Sequence, residues 1–527
     1  MAARNDGQWP DAAPGTAHAC LSLLVHTALD TATTHGASGG FTYERRRPET
    51  GTLYNVVRDN LQTLYAAVED GFASPLPAFV RNEFERYLDC GILCRGFALL
   101  KCETCHEQRL VAFSCKGRSF CSSCTGRRMA QTAANLVDHV LPITPLRQFV
   151  ITFPFELRAR LAYDGKLLGA VTRIAIDSVL GFYKRRMRDE EGLAGQSGAV
   201  SVVQRVNSDL RLNPHLHAIL LDGVFATDNG SPVFHPLTHL DDSDLADLLQ
   251  VIRVRLLNFL QRRGVIENRD ELTLLDDDFA EREPALAQLA AAATAGLLPA
   301  GPDVRQRPPI ALRGQPGVEL TGPLSVTEMG FSLHAATTAS ADDARGREAL
   351  VRYALRPPIA QERLKLLPND LVRIELKRPF SDGTVAIDLD PLSLLCRLAA
   401  SVPPPNFHLV HYSGVLGAAS KLRMLVVPPV PADTPSAVSR AHREHPATHR
   451  CGYRPWAELM KRTFQVDVER CSCGGRFKLT ALVIEAHAIE RLLRYLGEPL
   501  EPPCRSPARD PPYFKSQVLR RKLGELN

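Results

Sequence analysis

The chain has 527 residues, 45% of them hydrophobic and 23% charged, with a formal net charge of +5. These are ordinary globular proportions, which exclude a disordered or fibrous chain, and the length implies roughly three or four domains. The mild basic excess is compatible with a nucleic-acid partner without requiring one, and no run approaches the ~18 uninterrupted apolar residues of a membrane span.

Residues 1–45 are rich in Ala, Thr and Gly and show neither signal- nor transit-peptide character, so a flexible extension on a cytoplasmic protein is expected. In that compartment the thirteen cysteines stay reduced, and clustered ones bind metal rather than one another. Residues 53–89 carry apolar side chains at helical spacing. A cysteine cluster follows at 90–124, then a strand at 147–157 and a helix over 167–187. "GAVSVVQRV" and "HLHAILLDGVF" read as neighbouring strands joined through a polar stretch containing Asn213-Pro214. Residues 241–263 are helical, and the Ala-, Pro- and Gly-rich stretch at about 285–325 resembles an insertion or mobile linker. "GFSLHAAT" is a further strand. The helix after it starts at Asp342 or Asp343 and stops at Pro357-Pro358. A hairpin turns at Ser381-Asp382-Gly383, and the chain closes on "CSCGG" and a basic helix.

Cys102-x2-Cys105 and Cys121-x2-Cys124 have the spacing of two zinc knuckles. Each turn aims two thiolates at one centre, so the four predict a closed structural Zn²⁺ site with no open position for chemistry. Cys90, Cys94 and Cys115, with His106, are left over as candidates for a second site. Cys471-x-Cys473 is a possible knuckle with Cys451 and His449 as its neighbours in sequence. From Gln108 to Val137 there is no acidic residue, while Arg109, Lys116, Arg118, Arg127 and Arg128 are present. Such a stripe is what a phosphate backbone feels; the plain alternative is a solvated surface.

His215 and His217 are one residue apart in an apolar run, a pattern that chance alone supplies about half a time in a chain with this many histidines. On a strand both rings share one face, about 7 Å apart along the chain, and two polar rings on an apolar face must be satisfied by something. Gln204 is the polar exception on the matching face of the preceding strand. Two imidazoles and an amide oxygen make a plausible open site for Mg²⁺ or Mn²⁺; a hydrogen-bonded core glutamine explains Gln204 equally well.

"NPHLHAILLDG" resembles the HUH motif (His, hydrophobic, His) of rolling-circle endonucleases. More narrowly, the chain is similar to transposases of the insertion sequence 91 type, common-region elements included. The similarity spans about 84–495 through collinear motifs: "CGILCRGF", "FSCKGRSFCSSC", "LRQFVITFPFELR", "QRVNSDLRLNPHLHAILLDGVF", "RYALRPPIAQERL", "KRPFSDGT", "VPPPNFHLVHYSGVLGAASKLR" and "CSCGG". The resemblance implies a nucleophile, Tyr353, just before Arg356-Pro357-Pro358. Some members carry a second tyrosine one turn earlier; Ala349 stands there, so this is a single-tyrosine version. It implies cleavage and rejoining of single-stranded DNA at mobile-element ends through a 5′-phosphotyrosine, with target DNA as second partner. Arg356 is a candidate phosphate contact or helix cap. The expected architecture is α+β. It comprises a flexible 1–45, a helical and zinc-binding 46–135, and a nuclease over 140–400. The nuclease is a central antiparallel sheet with flanking helices and an insertion at about 240–328. A C-terminal accessory region covers 401–527. Rival readings are a replication initiator or relaxase, a metal-dependent amidohydrolase, whose further His and Asp ligands His334, His408 and His411 do not supply, and a non-catalytic zinc DNA-binding protein.

Overall fold

The computed structural model describes residues 45–72, 74–228, 230–268, 274–275, 278–296, 317–380, 382–428, 454–511 and 518–525. The extension expected at 1–45, Cys451 and His449 lie essentially outside these, with only Arg45 of the extension inside. Amphipathic helices α1 (Thr52–Phe72) and α2 (Ala78–Asp89) open the fold. Strands β1 (Phe97–Cys102) and β2 (Gln108–Ala112) form a hairpin, and α3 (Ser122–His139) follows. Next come β3 (Leu146–Thr152), α4 (Phe155–Tyr163), α5 (Gly165–Glu191), β4 (Gly198–Val206) and β5 (Leu212–Leu221). Then follow α6 (Asp242–Arg262), α7 (Pro284–Ala295), β6 (Glu319–Gly322), β7 (Ser325–Glu328), β8 (Phe331–Ala339) and α8 (Ala344–Ala354). Further along the chain lie α9 (Pro391–Ser401), β9 (Val410–Gly414), α10 (Trp456–Phe464), β10 (Phe477–Val483) and α11 (Ala486–Leu496).

The centre is an antiparallel seven-stranded sheet in the order β9-β4-β5-β3-β8-β7-β6. Because strand side chains alternate, each strand feeds two cores. Phe149, Ile151, Val203, Leu216, Ala218 and Leu220 pack beneath α4, α5 and α6. On the other face Leu146, Val200, Val202, Ile219 and Leu221 pack against Ala133 and Leu136 of α3 and Leu350, Val351 and Ala354 of α8. The α+β expectation with a central antiparallel sheet is met. No helix among the described residues is long and apolar enough to cross a membrane.

Three local expectations are corrected. Asn213 and Pro214 lie inside β5 rather than in the loop before it. The β4–β5 register shifts between Gln204 and Val206 at this point, a bulge that accommodates the amide Pro214 lacks. The described parts of the insertion expected at 240–328 pack into the cores: α6 fills the core under the sheet, and α7 buries Leu286, Leu289 and Ala293 in the core of the helices around it. Strands β6 and β7 extend the main sheet. Finally, Val518–Lys522 is a strand, not a helix. It completes a second sheet with Leu364–Leu366, Val372–Glu375 and Thr384–Leu389, where Arg521 pairs with buried Asp388 at 2.8 Å.

Candidate active site and zinc clusters

The β3–β5 and β4–β5 registers place Gln148, Val150 and Thr152 on the same face as His215 and His217, and set Gln204 directly opposite His215. Both histidines are buried, with ring centroids 5.1 Å apart. Nδ1 of His215 donates to the Asn213 carbonyl at 2.7 Å, which fixes the tautomer and leaves Nε2 with its lone pair. The side-chain amide of Gln148 meets Nδ1 of His217 at 2.5 Å. Nε2 of His217 is buried with no hydrogen-bond partner. Burial, opposed by the Asn213 carbonyl and reinforced by Arg356 and Arg158, pulls His215 down to about 4. Burial together with His215 and Arg356 holds His217 well below the usual range. The pair is neutral, as metal ligation requires, and the orphaned nitrogen fits a divalent ion. Among the described residues no third Cys, His, Asp or Glu joins the two histidines in a ligand group. His334 shares their face across β3, two strand spacings or about 10 Å away.

Tyr353 ends the last turn of α8. Asp343 starts that helix by accepting the Gly346 amide at 2.7 Å, and the prolines at 357 and 358 stop it. The Tyr353 ring meets that of His217 edge-on, centroids 5.7 Å apart, and the residue is 37% exposed, so it is not sealed in the core. Arg356 lies over the same ring at 4.4 Å. Gln204 donates from Nε2 to the carbonyls of Tyr353 and Ala354 at 3.2 and 2.8 Å. It thus satisfies two of the orphan acceptors that every helix C-terminus leaves, and ties the nucleophile candidate to the strand beside the histidines.

Gln148 and Arg158 escaped the sequence reading, although both lie in "LRQFVITFPFELR". Gln148 is a polar exception in an apolar alternation, the same signal that marked Gln204. Of the basic residues singled out in sequence, Arg356 reaches the site. Arg118 donates to the Phe407 carbonyl at 2.7 Å, and Arg128 to the Lys116 carbonyl at 3.2 Å. Lys116, on the loop before α3, and Arg128, in α3 itself, are exposed, and Arg127 is half-buried next to Arg128 in the helix.

The two knuckles, expected to share one shell, divide between two groups. Cys121 and Cys124 join Cys90 and Cys115, with sulfurs 3.4–3.7 Å apart. Cys102 and Cys105 join Cys471 and Cys473, with contacts of 3.6 and 3.5 Å. The reason is the β1–β2 hairpin: five residues of strand carry its tip about 17 Å from its base. Cys102 and Cys105 sit at that tip, and Cys90, Cys115 and α3 at the base. A tetrahedral zinc with ~2.3 Å bonds sets sulfurs about 3.8 Å apart, so both groups fit Zn²⁺. The Cys105 amide, outweighing burial and helped by Thr104 and Cys473, pulls Cys102 down to about 6. Cys115, with Cys121 and Cys90, lowers Cys124. Cys94 is half-buried among apolar side chains and joins neither group, nor does exposed His106.

Two four-cysteine groups fit to hold zinc, basic side chains beside one of them, and a tyrosine packed on a histidine pair are the combination expected of a DNA-processing class. Residues 198–423 match the family model described as "Putative transposase", and residues 60–153 match that of the insertion sequence 91 "Transposase zinc-binding domain". The two matches together support a transposase of the insertion sequence 91 type. No curated protein and no solved structure matches it.

Proposed function

We propose that this transposase cleaves and rejoins single-stranded DNA at mobile-element ends with Tyr353 as nucleophile. One observation carries the reading: the Tyr353 ring packs on His217, whose Nε2 is buried and unpartnered. The Tyr353 oxygen attacks the scissile phosphorus and forms a 5′-phosphotyrosine. The bond to the 3′ oxygen breaks, and that oxygen leaves as a hydroxyl while the phenol proton passes to solvent. Attack by a 3′ hydroxyl on the adduct reverses the exchange and joins the strand to target DNA without ATP. Mg²⁺ or Mn²⁺ held by His215 and His217 would polarise the phosphate. Arg356 and Arg158 stand where positive charge meets the phosphate oxygens, and Gln204 holds the helix end that aims the hydroxyl. Lys116 and Arg118 on the loop before α3, with Arg127 and Arg128 in α3, contribute contacts to the DNA backbone of the element end. The setting is the cytoplasm, on the element's own DNA. A relaxase or replication initiator would use the same chemistry, and the match to the zinc-binding domain of the transposases favours the transposase.

The test mixes protein with a labelled single-stranded oligonucleotide spanning an element end, plus Mg²⁺ or Mn²⁺, and reads covalent adduct on a denaturing gel. Wild type should form it and Tyr353→Phe should not, with DNA affinity unchanged. An adduct surviving in Tyr353→Phe moves the nucleophile elsewhere, and DNA binding without any adduct returns the chain to a binding module.

A further inference from the structure

The second cysteine group lies only half within residues 60–153, because Cys471 and Cys473 come from the far end of the chain. Its geometry is not incidental. Strand β10 pairs with β1 from Phe97↔Val483 to Cys102↔Phe477, so the sheet register itself brings the two knuckles together. Arg109 fastens the same corner, donating to the Val468 carbonyl at 2.9 Å and covering the Phe477 ring at 3.9 Å.

Helix α10 is tied to this knuckle through Lys461 and Arg476, which both reach Asp467, at 3.5 and 3.7 Å. It lies on α3, with Leu459 buried against Ala130 and Ala134. From α10, Arg462 reaches in two directions. It donates to Asp138 of α3 at 2.6 and 2.9 Å and to Oε2 of Glu348 on α8 at 3.0 and 2.8 Å. Glu348 is buried, pairs with Arg352 at 3.0 Å, and stands five residues before Tyr353 on the same helix.

We infer that the second group binds its own zinc ion, and that this ion positions the Tyr353 helix at a distance by anchoring residues 454–483, from which Arg462 holds Glu348. Arg462 is a positioning residue: it touches neither the histidines nor the tyrosine. Its removal leaves a buried carboxylate with one partner where it had two, a change a helix relieves by shifting. Displacement of a nucleophile by even an ångström slows attack on the order of tenfold to a hundredfold. The effect on catalysis rests on the strand-transfer reading above; the metal and the brace do not.

The experiment compares wild type, Arg462→Met, Arg462→Lys and Cys473→Ser in the full chain. Three quantities are read: zinc per chain, amide hydrogen exchange over 344–354, and the rate of adduct formation. Wild type should hold two zinc ions, Cys473→Ser one, and Arg462→Met two. Arg462→Met and Cys473→Ser should speed exchange in α8 and slow adduct formation at least tenfold, while Arg462→Lys recovers part of both. One zinc per wild-type chain, or unaltered exchange in α8 of Arg462→Met, overturns the inference. Should Cys473→Ser fail to fold, Arg462→Met decides alone, since it leaves every cysteine in place. Absence of adduct in wild type would refute the proposed chemistry, with zinc content and exchange still deciding the brace.

Discussion

Nδ1 of His217 is met by the side-chain amide of Gln148, on the neighbouring strand β3. Side chains that hold a ligand's second nitrogen fix its ring, and their loss typically costs about 10–100-fold in metal affinity. Gln148→Leu should therefore weaken Mn²⁺ binding by about that factor while the fold survives, as titration calorimetry and circular dichroism would show. Unchanged affinity would mean the ring is held by packing alone. Most of this site was legible at single-residue resolution. His215, His217 and Gln204 stand out because an alternating apolar strand makes a polar side chain conspicuous, and Gln148 obeys the same rule. Tyr353 has no such mark. A tyrosine at a helix end is ordinary in sequence, and only its likeness to a family motif singled it out.

At the scale of elements, α8 is held at its C-terminal end by Gln204, which bridges two carbonyls there. Gln204→Ala should slow adduct formation by freeing that end, yet leave Mn²⁺ affinity as it was. A parallel fall in Mn²⁺ affinity would put the amide on the ion instead. Elements were readable where amphipathic period and caps agree, as in α6 or in β4 with β5. They were misread where local composition outweighs partners. The alanines of α7 look like a linker, but small side chains let it sit deep in the core against its neighbours. "VLRRK" looks helical, yet it finds the open edge of Thr384–Leu389 and buried Asp388 waiting for a cation.

Across the whole molecule, Asp138 joins α3 to the C-terminal segment through Arg462 and Arg454. Burial pushes its carboxyl up, but the two guanidinium groups outweigh it and hold it below the usual range. The folded carboxyl thus binds protons less readily than the unfolded one. Its contribution is present above the ordinary carboxylate pKa of about 3.9 and fades as pH falls through the lower folded value. The melting-temperature gap between wild type and Asp138→Asn should accordingly be widest near neutrality and shrink towards pH 3.5. A gap independent of pH would show that the pair contributes through shape rather than charge. The grouping of the cysteines belongs to this scale, and it is why spacing misled: a two-residue gap is a local rule, whereas Cys102 finds Cys473 only through the register of β1 on β10.

That pairing also bears on how copies of the gene decay. A reading frame interrupted after residue 428 would still encode His215, His217 and Tyr353, but not the strand that covers β1. The fragment would expose a bare row of backbone donors and acceptors along β1, beside two stranded thiols. Open strand edges recruit other chains, so late interruption should yield an adhesive remnant prone to aggregation and clearance, rather than a slower enzyme.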